Sequence, residues 1–267
     1  MAYFVHEDCN LHYEEYGHGA PLVLVHGLGS STQDWEKQIP VLSAHYRLIV
    51  VDVRGHGRSD KPRGRYSIEA FSADLVALIE HLALGPVHLV GWSMGGMIGF
   101  QLAVDEPRLV RSLCIVNSAP QVKIRTADDC WQWFKRWSLM RILSLETIGK
   151  ALGAKLFPKP HQSALRLEMA RRWATNDKHA YLASFDAVVG WGVQERLSRI
   201  ACPTLVICAD HDYTPVAVKE AYVKLLPDAR LVVIADSRHA TPLDQPEHFN
   251  QTLLDFLIAV DSTPQDH

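Results

Sequence analysis

Cysteine is scarce in this chain of 267 residues: there are five, Cys9, Cys114, Cys130, Cys202 and Cys208, odd in number and scattered. Neither a C-x-x-C pair nor a metal-ligand spacing occurs among them, which excludes a disulfide framework, a thioredoxin-like motif and a zinc ribbon. Long apolar runs are missing too. None approaches the roughly 20 residues that a bilayer span needs, so no membrane span is expected. The first ten residues carry Glu7 and Asp8 and lack a basic stretch followed by an apolar one. No secretory signal is legible, and a reducing cytoplasm is the expected compartment. Charge of one sign is not in excess either: the formal net charge is −3, which gives no reason to expect nucleic acid as a partner. With 16 Gly and 14 Pro there is neither a collagen-like nor a disordered bias, and only the tail 261–267 reads as disordered.

What is present is an ordinary globular composition, 48% hydrophobic and 21% charged, long enough for one large domain or two unequal ones. Short apolar runs at 22–25, 48–51, 87–90, 113–116, 205–208 and 231–234 end in glycine or a polar turn and alternate with helical patterns, the signature of a parallel α/β sheet. In the helix expected over 68–84, Phe71, Leu75, Leu78, Ile79 and Leu82 share one face, which would lie on that sheet. Alternating apolar positions near both ends of the first 13 residues predict an antiparallel hairpin at one sheet edge.

The alternation stops between about Pro120 and Arg196, where the pattern is helical and broken at Gly149, Gly153, Pro158 and Pro160. This predicts a helical cap, 121–190, inserted into a catalytic core of 1–120 and 191–267. The cap segment holds twelve Lys and Arg against six Asp and Glu, a balance of +6 that leaves −9 for the remainder. Trp131, Trp133, Trp137, Trp173 and Trp191 all fall between Pro120 and Arg196. About half of these rings are expected in the cap's own core. Phe134, Trp137 and Trp191, with Trp92 of the core, are candidates for the substrate pocket. Solvation of helical faces accounts for the basic residues as well as ligand binding does. The alternative is that Arg166, Arg171 and Arg172 attract an anionic or carrier-protein-linked substrate.

The most specific motif is Gly91-Trp92-Ser93-Met94-Gly95-Gly96, between an apolar run and a helical pattern. A strand, a sharp turn and a helix are what a nucleophile elbow requires, with glycines where side chains would collide with the turn. A serine hydroxyl needs a base to take its proton and a carboxylate to orient that base. In this architecture the order along the chain is serine, acid, histidine. Of 14 histidines, His239 follows the last apolar run and is the candidate base, with His248 as runner-up. The acid should follow the run 205–208, where Asp212 is preferred and Asp210 is the alternative. Asn117 and Ser118, after the run 113–116, supply no negative charge. The oxyanion hole is expected from the backbone N–H groups of Met94 and Leu28, the latter in the loop Val25-His26-Gly27-Leu28-Gly29 that His26 would brace. The glycine-rich loop 54–59 lacks the spacing of a phosphate-binding or dinucleotide-binding loop, so neither a cofactor nor a metal is expected.

These motifs, with Asp52-Val-Arg-Gly-His-Gly-Arg-Ser59 and His239 followed by Asp244, Pro246 and Phe249, resemble those of α/β-hydrolase fold enzymes with a helical cap. The resemblance runs over nearly the whole chain. It implies a mostly parallel sheet flanked by helices and places nucleophile, acid and base at Ser93, Asp212 and His239. Ala209 and Arg238 stand where glycine is frequent in the family. Haloalkane dehalogenases and epoxide hydrolases carry aspartate at the nucleophile position, so Ser93 argues against both. Carbon–carbon bond hydrolases usually place Asn before the serine and Trp after the histidine, where this chain has Trp92 and Ala240. Carboxylesterases, enol-lactonases resembling 3-oxoadipate enol-lactonase and pimeloyl-carrier-protein methyl esterases fit better, with cofactor-free perhydrolysis as a side reaction. The expectation is a serine hydrolase of a small ester or lactone. A ligand receptor built on the same fold is the alternative of another class.

Overall fold

β-branched and leucine-rich runs with both faces covered make up the centre of the sheet. The computed structural model describes residues 2–124 and 126–263. Its strands are β1 (Ala2–His6), β2 (Cys9–Tyr16), β3 (Pro21–Val25), β4 (Arg47–Val51), β5 (Val87–Trp92), β6 (Val110–Val116), β7 (Thr204–Ala209) and β8 (Ala229–Ile234). They form one eight-stranded sheet in the order β1-β2-β4-β3-β5-β6-β7-β8. The pairs β1–β2 and β2–β4 are antiparallel, and every later pair is parallel. The β1–β2 turn has positive φ at both Glu7 and Asp8, the two-residue geometry that matches the natural twist of a hairpin. Each of the six apolar runs has become a strand, and every residue of β5 and β7 is buried.

Helices cover both faces: α1 (Ile39–Leu42), α2 (Ile68–His81), α3 (Met94–Asp105), α8 (Val216–Val223), α9 (Thr241–Asp244) and α10 (Pro246–Ser262). Helix α2 starts at Ser67, whose side chain accepts the Ala70 N–H, and buries Phe71, Leu75, Leu78 and Ile79. Full burial of each such side chain is worth roughly 1.5–3 kcal/mol. The helix ends three residues earlier than its apolar pattern, because Ala83 (φ 47°) and Gly85 (φ 69°) turn the chain left-handed. At the other end of the chain, Asp261 and Ser262 complete α10 where disorder is expected from sequence. Asp261 lies 2.7 Å from Arg111 and accepts from the Tyr46 hydroxyl, contacts that no local pattern announces. Thr263 follows as the helix C-cap, and 264–267 of that expected disorder lies outside the described residues. Among the described residues no helix is long and apolar enough to cross a membrane.

Between β6 and β7 lie α4 (Ala127–Ile142), α5 (Leu145–Leu156), α6 (Ser163–Ala174) and α7 (Lys178–Val188). The chain enters and leaves this group through paired backbone: Val122 N–H donates to Trp191 O, Gly190 N–H to Val122 O and Val193 N–H to Pro120 O. Helices α5 and α6 cross closely. A Cβ at Gly149 would meet Ala170 Cα at 3.2 Å and Trp173 Cβ at 2.7 Å. Arg172 then ties α6 to the loop after β3 through Asp34 (2.7 Å) and Glu36 (2.9 Å). Helix α4 begins with a capping box between Thr126 and Asp129 but buries none of its residues.

Candidate active site

Ser93 caps the N-terminus of α3 with φ 56° and ψ −113°, a backbone conformation that L residues avoid. The surroundings over-determine it. A Cβ at Gly91 would stand 2.2 Å from Gly95 O, and one at Gly95 would stand 2.2 Å from Val25 O, so neither glycine can be replaced without moving backbone. Ser93 N–H donates to Val116 O (2.9 Å), and Ser118 Oγ donates to Ser93 O (2.7 Å). The turn therefore lifts the hydroxyl off the end of the sheet.

His239 Nε2 lies 2.9 Å from Ser93 Oγ, and His239 Nδ1 lies 2.5 Å from Asp212 Oδ1. With the proton on Nδ1, the ring donates to Asp212 and accepts from the serine hydroxyl, so one tautomer satisfies both contacts. The His239 carbonyl accepts from Trp92 Nε1 (2.8 Å) and Asn117 Nδ2 (2.9 Å), and the Tyr213 ring stacks on the imidazole at 4.3 Å. Asp210 faces away, accepting the N–H groups of Asp236 and Ser237. His248 is exposed on α10. Both alternatives to the preferred acid and base are thus placed elsewhere. His26 braces its loop, with Nδ1 2.7 Å from Gly27 O and Nε2 accepting from Val53 N–H.

Burial works to raise the Asp212 carboxyl. The His239 hydrogen bond, together with the charges of His239 and Lys219, outweighs it and holds the group at about 2 against an ordinary 3.8. A folded value below the unfolded one contributes stability that is present above the unfolded value and is lost as pH falls from about 4 through about 2. The shift corresponds to a contribution on the order of 2 kcal/mol. Urea unfolding at pH 5 and at pH 2.5 should show Asp212→Asn losing less stability across that interval than the wild type. Equal losses would mean that Asp212 carries no such linkage.

A cavity of about 380 Å³ opens above Ser93. Leu28, Met94, Trp92 and His239 line it from the sheet side. A Cβ at Gly27 would lie 3.2 Å from Ser93 Cβ, so the loop that carries Leu28 passes directly beside the nucleophile position. From the helices above, the lining includes Trp133, Arg136, Trp173, Tyr181 and Phe185. Three residues expected in the pocket are not there. Phe134 and Trp137 point to solvent, 54% and 39% exposed, because the face of α4 turned to the cavity carries Trp133 and Arg136 instead. Trp191 is buried in the core, donating from Nε1 to Gln101 Oε1 (2.8 Å). Of the expected cations, Arg166 donates to Phe157 O and Lys159 O, and Arg172 is held by Asp34, Glu36 and Glu168. Arg171 is exposed and does not line the cavity. Arg136 does line it, and among the described residues it has no carboxylate partner. Its guanidinium rests 5.4 Å from the Phe185 centroid and 5.7 Å from that of Trp133. Asn117, which carries no charge, is part of the framework after all: Oδ1 accepts Ala209 N–H while Nδ2 reaches His239 O and Thr241 Oγ1. It joins the two loops that carry the acid and the base.

The sequence profile of the α/β-hydrolase fold matches residues 20–151. A protein from Azorhizobium caulinodans, provisionally designated carbamate hydrolase RutD, is 30% identical over 98% of this chain and 100% of its own length. The 3-oxoadipate enol-lactonase 2 of Acinetobacter baylyi is 26% identical over 92% of each chain. Among solved structures, the enol-lactonase from Burkholderia xenovorans LB400 superposes with a TM-score of 0.88 at 25% identity, covering 96% of this chain and 100% of that one.

Proposed function

The chain belongs to the α/β-hydrolase fold family, whose members named above are hydrolases, and on that premise we propose that it is a serine hydrolase of carboxylic esters or lactones. The observation that carries this reading is the unbroken hydrogen-bond path Ser93–His239–Asp212 ending in a cavity. His239 Nε2 takes the hydroxyl proton as Ser93 Oγ bonds to the substrate carbonyl carbon, and Asp212 stabilises the imidazolium that results. The negative charge formed on the carbonyl oxygen is held by the N–H groups of Met94 and Leu28, each donor worth about 3 kcal/mol, and by the N-terminal end of α3. His239 then gives its proton to the leaving alkoxide as the C–O bond breaks. A water molecule, deprotonated by the same nitrogen, attacks the acyl-enzyme and releases the acid with Ser93 restored. No step requires a metal or cofactor.

Residues 121–190 act in this reading as a cap over the core formed by 1–120 and 191–267. Trp92, Trp133, Tyr181 and Phe185 supply apolar walls; of the two cations that line the cavity, Lys123 lies 3.3 Å from Glu195, and Arg136, with no carboxylate partner among the described residues, is the one offered to a substrate that carries a second, anionic group. The cytoplasm remains the compartment proposed for it.

An alkyl fluorophosphonate should label the wild type at Ser93 and leave Ser93→Ala unlabelled. Labelling that survives the substitution would remove the assignment. A substrate panel of esters, lactones and carbamates, varied in chain length and terminal charge, then identifies the class. Arg136→Ala should raise KM for anionic members by about tenfold with neutral members unaffected, and an equal change for both would remove Arg136 as the selector.

A further inference from the structure

Lys219 has a side chain with no exposure to solvent, and it lies behind the candidate catalytic acid. Lysine is among the residues least often fully buried, since an ammonium group removed from water must be paired and fully hydrogen-bonded. All three of its N–H donors are used within one turn of chain: Asp212 Oδ2, Thr214 Oγ1 and Thr214 O (2.6 Å). Thr214 Oγ1 in turn donates to Asp212 Oδ2 at 3.0 Å. The carboxylate is therefore divided, with Oδ1 receiving the His239 N–H and Oδ2 receiving Lys219 and Thr214. The Asp212 side chain, like that of Lys219, is fully buried, whereas His239 keeps 15% exposure.

We propose that Lys219 is a positioning residue for the triad that sets how strongly Asp212 holds a proton on His239. This rests on the assignment of Ser93, His239 and Asp212 made above. Without Lys219, a lone buried carboxylate would favour the imidazolium. With Lys219, that carboxylate is already shared with a cation, so its pull on the His239 proton is weaker. The same three bonds fix the Asp212 rotamer, because Lys219 sits in the first turn of α8 and Thr214 in the loop between β7 and α8. Among the described residues no other lysine or arginine pairs with Asp212. On β7, Cys208 is a buried thiol whose pKa burial raises, and on α8 Tyr222 is raised well above its ordinary value, so both are neutral. Tyr213, pushed up to about 12 by burial, is neutral on the face of His239. Lys155 Nζ lies over the Tyr213 ring, 4.5 Å from its centroid, and Arg136 rests against Trp133 and Phe185. Asp210 and Asp244 are engaged with backbone N–H groups, Asp210 with those of residues 236 and 237 and Asp244 with that of Arg238.

The test is the pH dependence of kcat/KM for Lys219→Gln, which keeps two donors and loses the charge, and for Lys219→Met, which loses both. In each, the acid limb should move to higher pH by about one unit, in line with the shift that one nearby charge produces. Lys219→Arg, which keeps the charge, should leave the limb where the wild type has it. A purely structural lysine would lower the active fraction equally at every pH. Unmoved limbs in the folded neutral variants would overturn the proposal, and so would movement to lower pH. Should the neutral variants not fold, the arginine variant decides, since a displaced limb there would show that charge is not the cause. Ser93→Ala, run alongside, separates the two readings. Persistent activity in that variant defeats the triad itself, while lost activity with unmoved Lys219 limbs defeats only the role of the lysine.

Discussion

Replacing Ser93 by alanine is expected to lower kcat/KM by about 10⁶-fold while the protein still folds and binds ligand, the scale seen when one member of such a unit is removed. The hydroxyl forms the acyl bond, so nothing in the variant can take its place in the cavity. The remaining rate would come from the N–H groups of Met94 and Leu28 acting on a bound ester attacked by water. His239→Ala should cost about as much. The double variant should cost little more than either single one, because a nucleophile and its base act as one device. Additive losses would mean that the two residues work independently. Retention of more than a tenth of wild-type activity in Ser93→Ala would mean that the chemistry lies elsewhere.

Asp212→Asn is the second large effect, and it should appear twice. In the rate, an amide in place of the carboxylate favours the wrong imidazole tautomer and removes the countercharge to the imidazolium, a loss of about 10⁴-fold in kcat. In stability, it leaves the buried Lys219 ammonium without an anion, and breaking a buried pair from one side costs about 3–5 kcal/mol. Adding Lys219→Met to Asp212→Asn should return most of that stability and none of the activity. A thermal-unfolding cycle over the four proteins measures this. A double variant no more stable than Asp212→Asn would mean that the buried pair carries no coupling.

The strand-by-strand reading of the core was available because it depends on local pattern. Runs of buried β-branched residues announce a covered sheet, and Gly91 and Gly95 are demanded by the turn itself. Orientation within the cap was not available. In helix α4, Trp131, Phe134 and Trp137 form one stripe of stacked rings with Trp133 at its flank, so periodicity points to the stripe and cannot say that the flanking ring is the one facing inward. The direction depends on how the helix docks, and the structure selects Trp133. Lys219 was invisible for a related reason. In the stretch Val216-Ala217-Val218-Lys219 a lysine reads as a solvated helical residue, and its burial follows only from Asp212 arriving beneath it. Asn117 was weighed solely as an acid and set aside, since its partners at 239 and 241 are more than 120 residues away.

Proximity of a serine, a histidine and an aspartate is not by itself a site. At the opposite end of the sheet, on β5 and β6, His88 Nδ1 lies 2.7 Å from Ser112 Oγ and His88 Nε2 lies 3.2 Å from Asp261. The Ser112 and His88 side chains there are sealed in the interior, so the cluster pins α10 to the sheet and can meet no substrate. Ser93 differs in its strained backbone, its neighbouring N–H donors and its cavity.

Helix α4 faces the cavity with Trp133 and Arg136 yet contributes no buried side chain to any core. Apart from Met140, which packs against the core beside Tyr181, its residues carry little folding constraint while remaining in reach of whatever occupies the site. Mutations can accumulate along this one segment with little stability penalty and still alter which acyl group is accepted. Helices α5 and α6, interlocked at Gly149 and bolted to the core by Arg172, have no such latitude. New specificities on this scaffold should arise by drift in α4 first, and a saturation library confined to 127–142 is the economical place to look for them.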